Sequence, residues 1–258
     1  MKKWQKVNLF VFAIVVLFFT SLVYVFETAS FSNPFGKPWH LQPSVHEDSL
    51  SQTYLNAYSI LNKKSLYERF YDSARVNIFI LVDAWGVPVD EKMLDSDFSF
   101  FNEIPHVFAI HQRLANRTKH AEKVELRNGA QNTIYLFGGD SLEYNRQAYL
   151  KELGFNSSLF CQYCSDSVML LKMDSLLAND SLKLIAWTTQ SSRLGGRDSL
   201  QKSLSLIASF VLRHPDVNVV VQGTHRPILG TPEVRRMYKA HWVPAAILNV
   251  RGFADKSL

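Results

Sequence analysis

One stretch decides the fold of this chain: Val76–Asp83, which reads VNIFILVD. Its mostly apolar, largely β-branched residues form a run too short for a substantial helix, and such a run is typical of a strand buried in a parallel sheet. Similar runs occur at Thr133–Phe137, Leu184–Thr188 and Val217–Val221. The sequence therefore predicts several buried, parallel strands.

Helical patterns separate these strands. Helices are predicted at Tyr144–Leu153, Ser165–Leu177 and Leu200–Arg213, and a last strand at Ala245–Val250. Strands that alternate with helices need crossover connections, which produce a sheet covered by helices on both faces. The predicted fold class is α/β, a three-layer α/β/α sandwich with a mostly parallel sheet.

Polar residues follow the predicted strands, where an open parallel sheet binds its ligands. They are Asp83, the Gly138-Gly139-Asp140 segment, residues 189–192, and Thr224 with His225. We expect any chemistry to lie at this edge of the sheet.

The N-terminal region predicts a membrane anchor. Val7–Phe26 carries no charged residue, and a helix of that length can span a bilayer. The lysines before it place the N-terminus in the cytoplasm and the rest of the chain outside, as a single-pass protein of the inner (cytoplasmic) membrane. A cleaved signal peptide with an exit near Thr28-Ala29-Ser30 is the alternative, although its apolar region is usually shorter.

The predicted organisation has four parts. Residues 1–6 form a cytoplasmic tail, 7–26 the anchor, 27–74 an extracytoplasmic linker with a juxtamembrane helix, and 75–258 the α/β domain. The linker carries Pro34, Gly36, Pro38 and Pro43 after the anchor, with no sustained periodicity. Apolar residues spaced by three and four then predict an amphipathic helix over Thr53–Tyr71.

The charge of the chain argues against nucleic acid as a partner. The formal net charge is +5, but Lys2, Lys3 and Lys6 precede the anchor, so the remaining excess is too small for a nucleic-acid footprint. The partner that the predicted anchor implies is the lipid bilayer.

The two cysteines occur together, as Cys161-Gln162-Tyr163-Cys164. An extracytoplasmic location favours a local disulfide between them. A redox motif or half of a zinc site stays open as an alternative, although no nearby His completes the usual zinc spacing.

The order of these motifs resembles the alkaline phosphatase and sulfatase superfamily, closest to its lipoteichoic acid synthase-like branch. The resemblance covers roughly Arg75 to Val250. Asn77–Gly86 resembles the first strand of that family, and the most specific piece is Asn132–Gly139 with the Tyr144-Asn145-Arg146 that follows. Val219–His225 lies where the family has a strand ending in Asp-His, and Trp242–Leu248 is similar to the next strand.

The resemblance implies a metal-dependent site. In the family a metal-bound Thr hydroxyl is the nucleophile, which by its order in the chain is Thr118 here. Asp83, His225 and Thr224 occupy the positions of metal ligands, which implies a divalent cation such as Mn²⁺, Mg²⁺ or Zn²⁺. Arg193 and Arg146 are the candidates for contact with substrate.

The chain also departs from the family pattern. Asp83 stands where the branch usually has Glu, and Thr224 stands where it has Asp, which removes a negative charge from the site. Residues 189–193 lack the His that the family places near substrate, and family domains generally continue further than this chain. The resemblance therefore implies a shortened and divergent version.

Less specific interpretations exist for each site residue. Asp83 can cap a turn, His225 can be a hydrogen-bonded loop residue, and Gly138-Gly139 can be a tight turn, since no P-loop Lys follows. A metal site requires Asp83, Thr118 and His225 to meet at one edge of the sheet.

Two classes of function follow. The departures favour a catalytically degenerate scaffold that binds a cell-envelope partner or glycan. The alternative is a metal-dependent phosphoglycerol- or phosphoethanolamine-type transferase, or a phosphodiesterase, acting on lipid headgroups or envelope glycans. Sulfatase chemistry is disfavoured, since neither Cys161 nor Cys164 lies in a Cys-x-Pro-x-Arg context.

Overall fold

The chain divides into two units, Met1–Asp48 and Ser49–Leu258. The computed structural model describes residues 14–18, 49–61, 65–113, 118–126, 132–139, 146–179, 181–189, 192–227 and 231–250. Of the first unit only residues 14–18 are described, and they are helical. No helix in the described ranges is long and apolar enough to cross a membrane. Most of the predicted anchor at residues 7–26, and the linker as far as residue 48, lie outside the described residues.

The second unit is built on an eight-stranded sheet with the order β1-β3-β8-β7-β2-β6-β4-β5. All strands run in one direction except β8, which is antiparallel to both β3 and β7. The strands are β1 Ser59–Leu61, β2 Asn77–Val82, β3 His106–Gln112, β4 Thr133–Gly139, β5 Ser157–Gln162, β6 Leu184–Thr188, β7 Asn218–Gly223 and β8 Trp242–Leu248. The predicted mostly parallel sheet is present.

Helices pack on both faces of the sheet. They are α1 Gln52–Ala57, α2 Leu66–Phe70, α3 Glu91–Phe98 with a 3₁₀ turn at Ser99–Phe101, α4 Thr118–Glu125, α5 Arg146–Glu152, α6 Asp166–Leu177, α7 Ser192–Arg213 and α8 Pro232–Arg236. Because side chains alternate along a strand, Ile78 and Ile80 of β2 enter the core with α3, α6 and α7, whereas Phe79 enters the core with α2 and α5. The sheet is thus the middle of three layers.

The single amphipathic helix predicted over Thr53–Tyr71 is wrong. The segment forms α1, then β1, which pairs in parallel with β3, and then α2. The physical reason is that Tyr54 packs in the core on one face of the sheet, whereas Leu66 and Phe70 pack on the other. One continuous helix could not reach both faces, so the chain crosses the sheet edge as a strand.

Candidate functional site

Neighbouring strands bring the polar residues of this edge together. β2 and β7 are parallel, with Val82 paired to Gly223, so Asp83 and Thr224 leave the sheet side by side. The Thr224 amide donates to the Val82 carbonyl at 3.1 Å. On the other side of β2, the Asp83 amide donates to Thr189 Oγ1 at 3.1 Å.

Three side chains meet at one carboxylate oxygen, Asp83 Oδ1. The Thr118 hydroxyl donates to it at 2.7 Å, and the Thr224 hydroxyl at 3.1 Å. His225 Nε2 lies 3.2 Å from the same oxygen and 3.1 Å from Thr118 Oγ1. The structure therefore brings together Asp83, Thr118, Thr224 and His225, which come from three separate parts of the sequence.

The orientation of His225 determines what can occupy this cluster. His225 Nδ1 lies 2.7 Å from the Arg226 carbonyl oxygen, which can only accept, so Nδ1 carries a hydrogen. In neutral His225 the lone pair of Nε2 would then face the Asp83 carboxylate. That arrangement would allow Nε2 and Asp83 Oδ1 to bind one cation between them.

Asp83, Thr224 and His225 are buried, and Thr118 is half-buried. Burial alone would disfavour the ionised carboxyl of Asp83. The hydrogen bond and charge of His225, with the Thr118 and Thr224 hydroxyls, outweigh that effect and lower the pKa of Asp83. The site is therefore an ionised carboxylate, and Thr118 is the least buried of the residues around it.

Two glycines allow the loop after β2 to lie against β7 and the segment that follows it. A Cβ atom at Gly223 would lie 1.9 Å from the Trp85 carbonyl oxygen. A Cβ atom at Gly86 would lie 2.7 Å from the Arg226 Cα atom. The close approach of Asp83 to His225 thus depends on the absence of a side chain at both positions.

Trp85 fixes the loop after β2 by packing in the core that α3, α6 and α7 share. Its Nε1 atom donates to Asp97 Oδ2 at 3.1 Å, and Arg197 forms an ion pair with Asp97 at 2.8 Å. Burial raises the pKa of Asp97, although Arg197 and Trp85 favour its ionised form. These contacts tie the Asp83 loop to α3 and α7.

The side chains of the cluster are of the types that bind divalent cations, but only one of them, Asp83, carries a negative charge. Asp83 supplies a carboxylate oxygen, His225 an imidazole nitrogen, and Thr118 and Thr224 supply hydroxyl oxygens. The Arg226 carbonyl holds the distal ring nitrogen as a typical outer-shell partner does. Among the described residues, however, no group of three or more His, Cys, Asp or Glu side chains is placed to hold a metal ion. A cation held here would therefore have one carboxylate and one imidazole among its protein ligands, and most of its coordination would have to come from other groups.

The other predicted site residues lie away from this cluster or outside the description. Arg146 begins α5 and Arg193 lies near the start of α7, but their side chains fall outside the described part of the chain. Cys161 and Cys164 are joined by a disulfide, with Cα atoms 5.5 Å apart. This disulfide lies at the end of β5, the edge strand of the sheet.

A buried polar layer beneath the cluster was not predicted from the sequence. The layer includes Thr189, whose hydroxyl oxygen accepts a hydrogen bond from the Asp83 amide. It also includes Glu122 and Glu125 of α4, whose hydrogen-bond network reaches β3, β4, β6 and β7. Burial raises the pKa of Glu125 to about 7, while hydrogen bonds from Gln222 and the Leu66 amide act in the opposite direction. The sequence signal was the spacing of Thr118, Glu122 and Glu125, which places all three on one face of a helix.

The fold of this chain, with its site at the ends of parallel strands, is similar to that of a solved lipoteichoic acid synthase. A lipoteichoic acid synthase structure, LtaP from Listeria monocytogenes, matches with a TM-score of 0.50 and 12% identity over 68% of this chain and 65% of that one. The resemblance predicted from the motifs is confirmed at the level of the fold.

Two further structures match less well. An alkaline phosphatase superfamily protein from Vibrio parahaemolyticus has a TM-score of 0.48 and 12% identity, over 70% of this chain and 62% of that one. Alkaline phosphatase from the Antarctic bacterium TAB5 has a TM-score of 0.40 and 9% identity, over 69% and 91%. This chain thus spans less than two thirds of the Listeria and Vibrio structures. No family model and no curated protein matches in sequence.

Proposed function

We propose that this chain is a membrane-anchored extracytoplasmic protein that transfers or hydrolyses phosphoryl-type groups on lipid headgroups or envelope glycans, with Thr118 as nucleophile. One observation carries the proposal: the Thr118 hydroxyl lies 2.7 Å from Asp83 Oδ1 and 3.1 Å from His225 Nε2. A hydroxyl is a weak nucleophile unless a neighbouring group activates it, and here two candidate groups are in contact with it.

A divalent cation held by Asp83, His225 and the Thr118 oxygen would lower the pKa of that hydroxyl and neutralise charge on the phosphoryl group. Thr118 loses its proton to solvent, and its oxygen then forms a bond to phosphorus. The bond from phosphorus to the leaving alcohol breaks, and that alcohol takes up a proton. A second alcohol, or water, then loses a proton to solvent and forms a bond to phosphorus, the bond from phosphorus to Thr118 Oγ1 breaks, and the Thr118 oxygen takes up a proton.

The membrane anchor is part of the proposal, and the uncharged stretch Val7–Phe26 supports it. A tether at the membrane surface would raise the local concentration of lipid headgroups around the site. Full release of the protein from bacterial membranes by alkaline carbonate would contradict an anchor.

The nucleophile can be tested with the full chain in detergent, Mn²⁺ and bis(4-nitrophenyl) phosphate. We expect release of nitrophenol and a phosphoryl adduct on the Thr118 peptide in mass spectrometry. Thr118→Val should lower the rate at least about a thousandfold, since it removes the attacking oxygen at constant shape. Thr118→Ser should keep the adduct. Thr53→Val changes an exposed threonine and should leave the rate unchanged.

A second candidate function is a catalytically degenerate scaffold that binds an envelope partner or glycan. Thr224 favours it, because its hydroxyl donates to Asp83 Oδ1 at 3.1 Å where the family resemblance implies a second carboxylate. Asp83 is then satisfied by protein groups alone. A folded wild-type protein without turnover in Mn²⁺, Mg²⁺ or Zn²⁺ would reject the nucleophile role of Thr118 and support the scaffold.

A further inference from the structure

Helix α4, which begins at the candidate nucleophile, has an unusual buried face. α4 has 8 residues, Thr118–Glu125. An isolated helix of this length is marginal in water, so tertiary contacts must fix its position. Glu122 and Glu125 lie four and seven residues after Thr118, on the same helical face. Both carboxylates are buried, at 0% and 1% exposure, although Glu is almost never fully buried without partners.

Glu122 is connected to two strands, to β4 directly and to the end of β6 through Tyr135. The Tyr135 hydroxyl of β4 donates to Glu122 Oε1 at 2.8 Å. The same hydroxyl hydrogen-bonds Thr188 Oγ1, at the end of β6. Thr188 directly precedes Thr189, whose hydroxyl oxygen accepts a hydrogen bond from the Asp83 amide. Glu122 is therefore connected to the backbone that positions Asp83.

Glu125 binds two more strands and the start of α2. Gln222 Nε2 of β7 lies 3.1 Å from Glu125 Oε1 and 3.1 Å from His111 Nδ1 of β3. The Leu66 amide donates to Glu125 Oε2 at 3.3 Å. Gln222 lies two residues before Thr224, so the strand that carries Thr224 and His225 also holds the end of α4.

We propose that Glu122 and Glu125 are positioning residues for Thr118, because their hydrogen bonds connect α4 to four strands of the sheet and so hold the Thr118 hydroxyl against Asp83. The inference rests on the proposed role of Thr118 as nucleophile. Stability alone does not require these carboxylates, since well-packed apolar residues of similar volume often stabilise a core at least as well as buried charges do. What the carboxylates add is a directional link between α4 and the strands that carry the site.

A thiol at position 118 tests this directly. In the full chain carrying Thr118→Cys, we would measure the iodoacetamide reaction rate at one pH below the usual thiol pKa of about 8.5. Asp83→Asn removes a negative charge beside the thiol and should speed alkylation about threefold or more, because the thiolate fraction rises. The native Cys161 and Cys164 are in a disulfide and should not react.

The positioning role predicts that Asp83→Asn no longer speeds alkylation when the hydrogen bonds of Glu122 or Glu125 are removed. Glu122→Leu or Glu125→Leu keeps side-chain volume, and in either background Asp83→Asn should change the rate less than about 1.5-fold, as expected for uncoupled sites. Glu122→Gln and Glu125→Gln retain a hydrogen-bonding oxygen and should keep most of the effect. Asp166→Asn is a matched control, because Asp166 is also buried and bonded to Ser203, but it lies on α6. It should keep the effect in full.

An unchanged effect of Asp83→Asn in folded Glu122→Leu and Glu125→Leu proteins would overturn the inference. Its loss in Asp166→Asn, or its absence in the Thr118→Cys parent, would overturn it too. The assay needs neither cation nor substrate, so it remains readable if no phosphoryl transfer is found.

Discussion

Replacing Thr224 by Asp is expected to tighten Mn²⁺ binding at least about tenfold, or ~1.4 kcal/mol. Thr224 Oγ1 lies 3.1 Å from Asp83 Oδ1, so an Asp side chain at this position would bring a second carboxylate to the same point. Mn²⁺ favours carboxylate ligands, and a second negative charge in contact with the cation strengthens its binding. Isothermal titration calorimetry of the full chain would measure the change.

The same substitution should have the opposite effect on the metal-free protein. Two carboxylates in contact repel, and burial raises the free energy of placing them together. Without cation, Thr224→Asp should therefore melt at a lower temperature than wild type. On adding Mn²⁺, its melting temperature should rise more than that of wild type. Thr224→Asn has the same shape without the charge and is the matched control. Equal Mn²⁺ affinities of Thr224→Asp and Thr224→Asn would show that residue 224 does not face a cation.

Replacing Gly223 by Ala is expected to lower the free energy of unfolding by about 3 kcal/mol or more. The added Cβ would lie 1.9 Å from the Trp85 carbonyl oxygen, which is backbone and cannot rotate away. The loop after β2 must then separate from β7, which moves Asp83 away from His225. Urea unfolding followed by tryptophan fluorescence would measure the loss.

Gly138→Ala is the control for this substitution. A Cβ atom there would lie 3.5 Å and 3.6 Å from the carbonyl oxygens of Cys161 and Cys164, which is ordinary contact. We expect its free energy of unfolding to stay within about 1 kcal/mol of wild type. If Gly223→Ala unfolds at the same urea concentration as Gly138→Ala, the close approach of the two loops is not required.

The central strands could be predicted because their signal is local. β2 and β7 are buried along their whole length, so each is a nearly continuous apolar run. β5 lies at the sheet edge, and its Ser157–Gln162 sequence is half-buried or exposed, without such a run. β1 was missed because its three residues continue the helical spacing of the segment before them, and only pairing with β3 makes them a strand.

The candidate site was partly predictable for a similar reason. Asp83, Thr224 and His225 follow parallel strands, whose ends must meet at one edge of the sheet. Thr118 came only from its order in a family resemblance, since no local pattern marks a nucleophile. Glu122 and Glu125 were missed, because a charged helix is typical of a solvated surface and only partners distant in the sequence reveal that its carboxylates are buried.

Mn²⁺ binding to the full chain tests most directly whether Asp83, Thr118 and His225 share one positive ion. We expect one Mn²⁺ per chain by electron paramagnetic resonance, with affinity at least about tenfold weaker in Asp83→Asn and in His225→Gln, as for the loss of one ligand group. His214→Gln should bind as wild type does, because His214 pairs with Asp174, outside the cluster. Absence of Mn²⁺ binding at millimolar concentration, or equal binding by Asp83→Asn and wild type, would contradict a shared ion at this edge of the sheet.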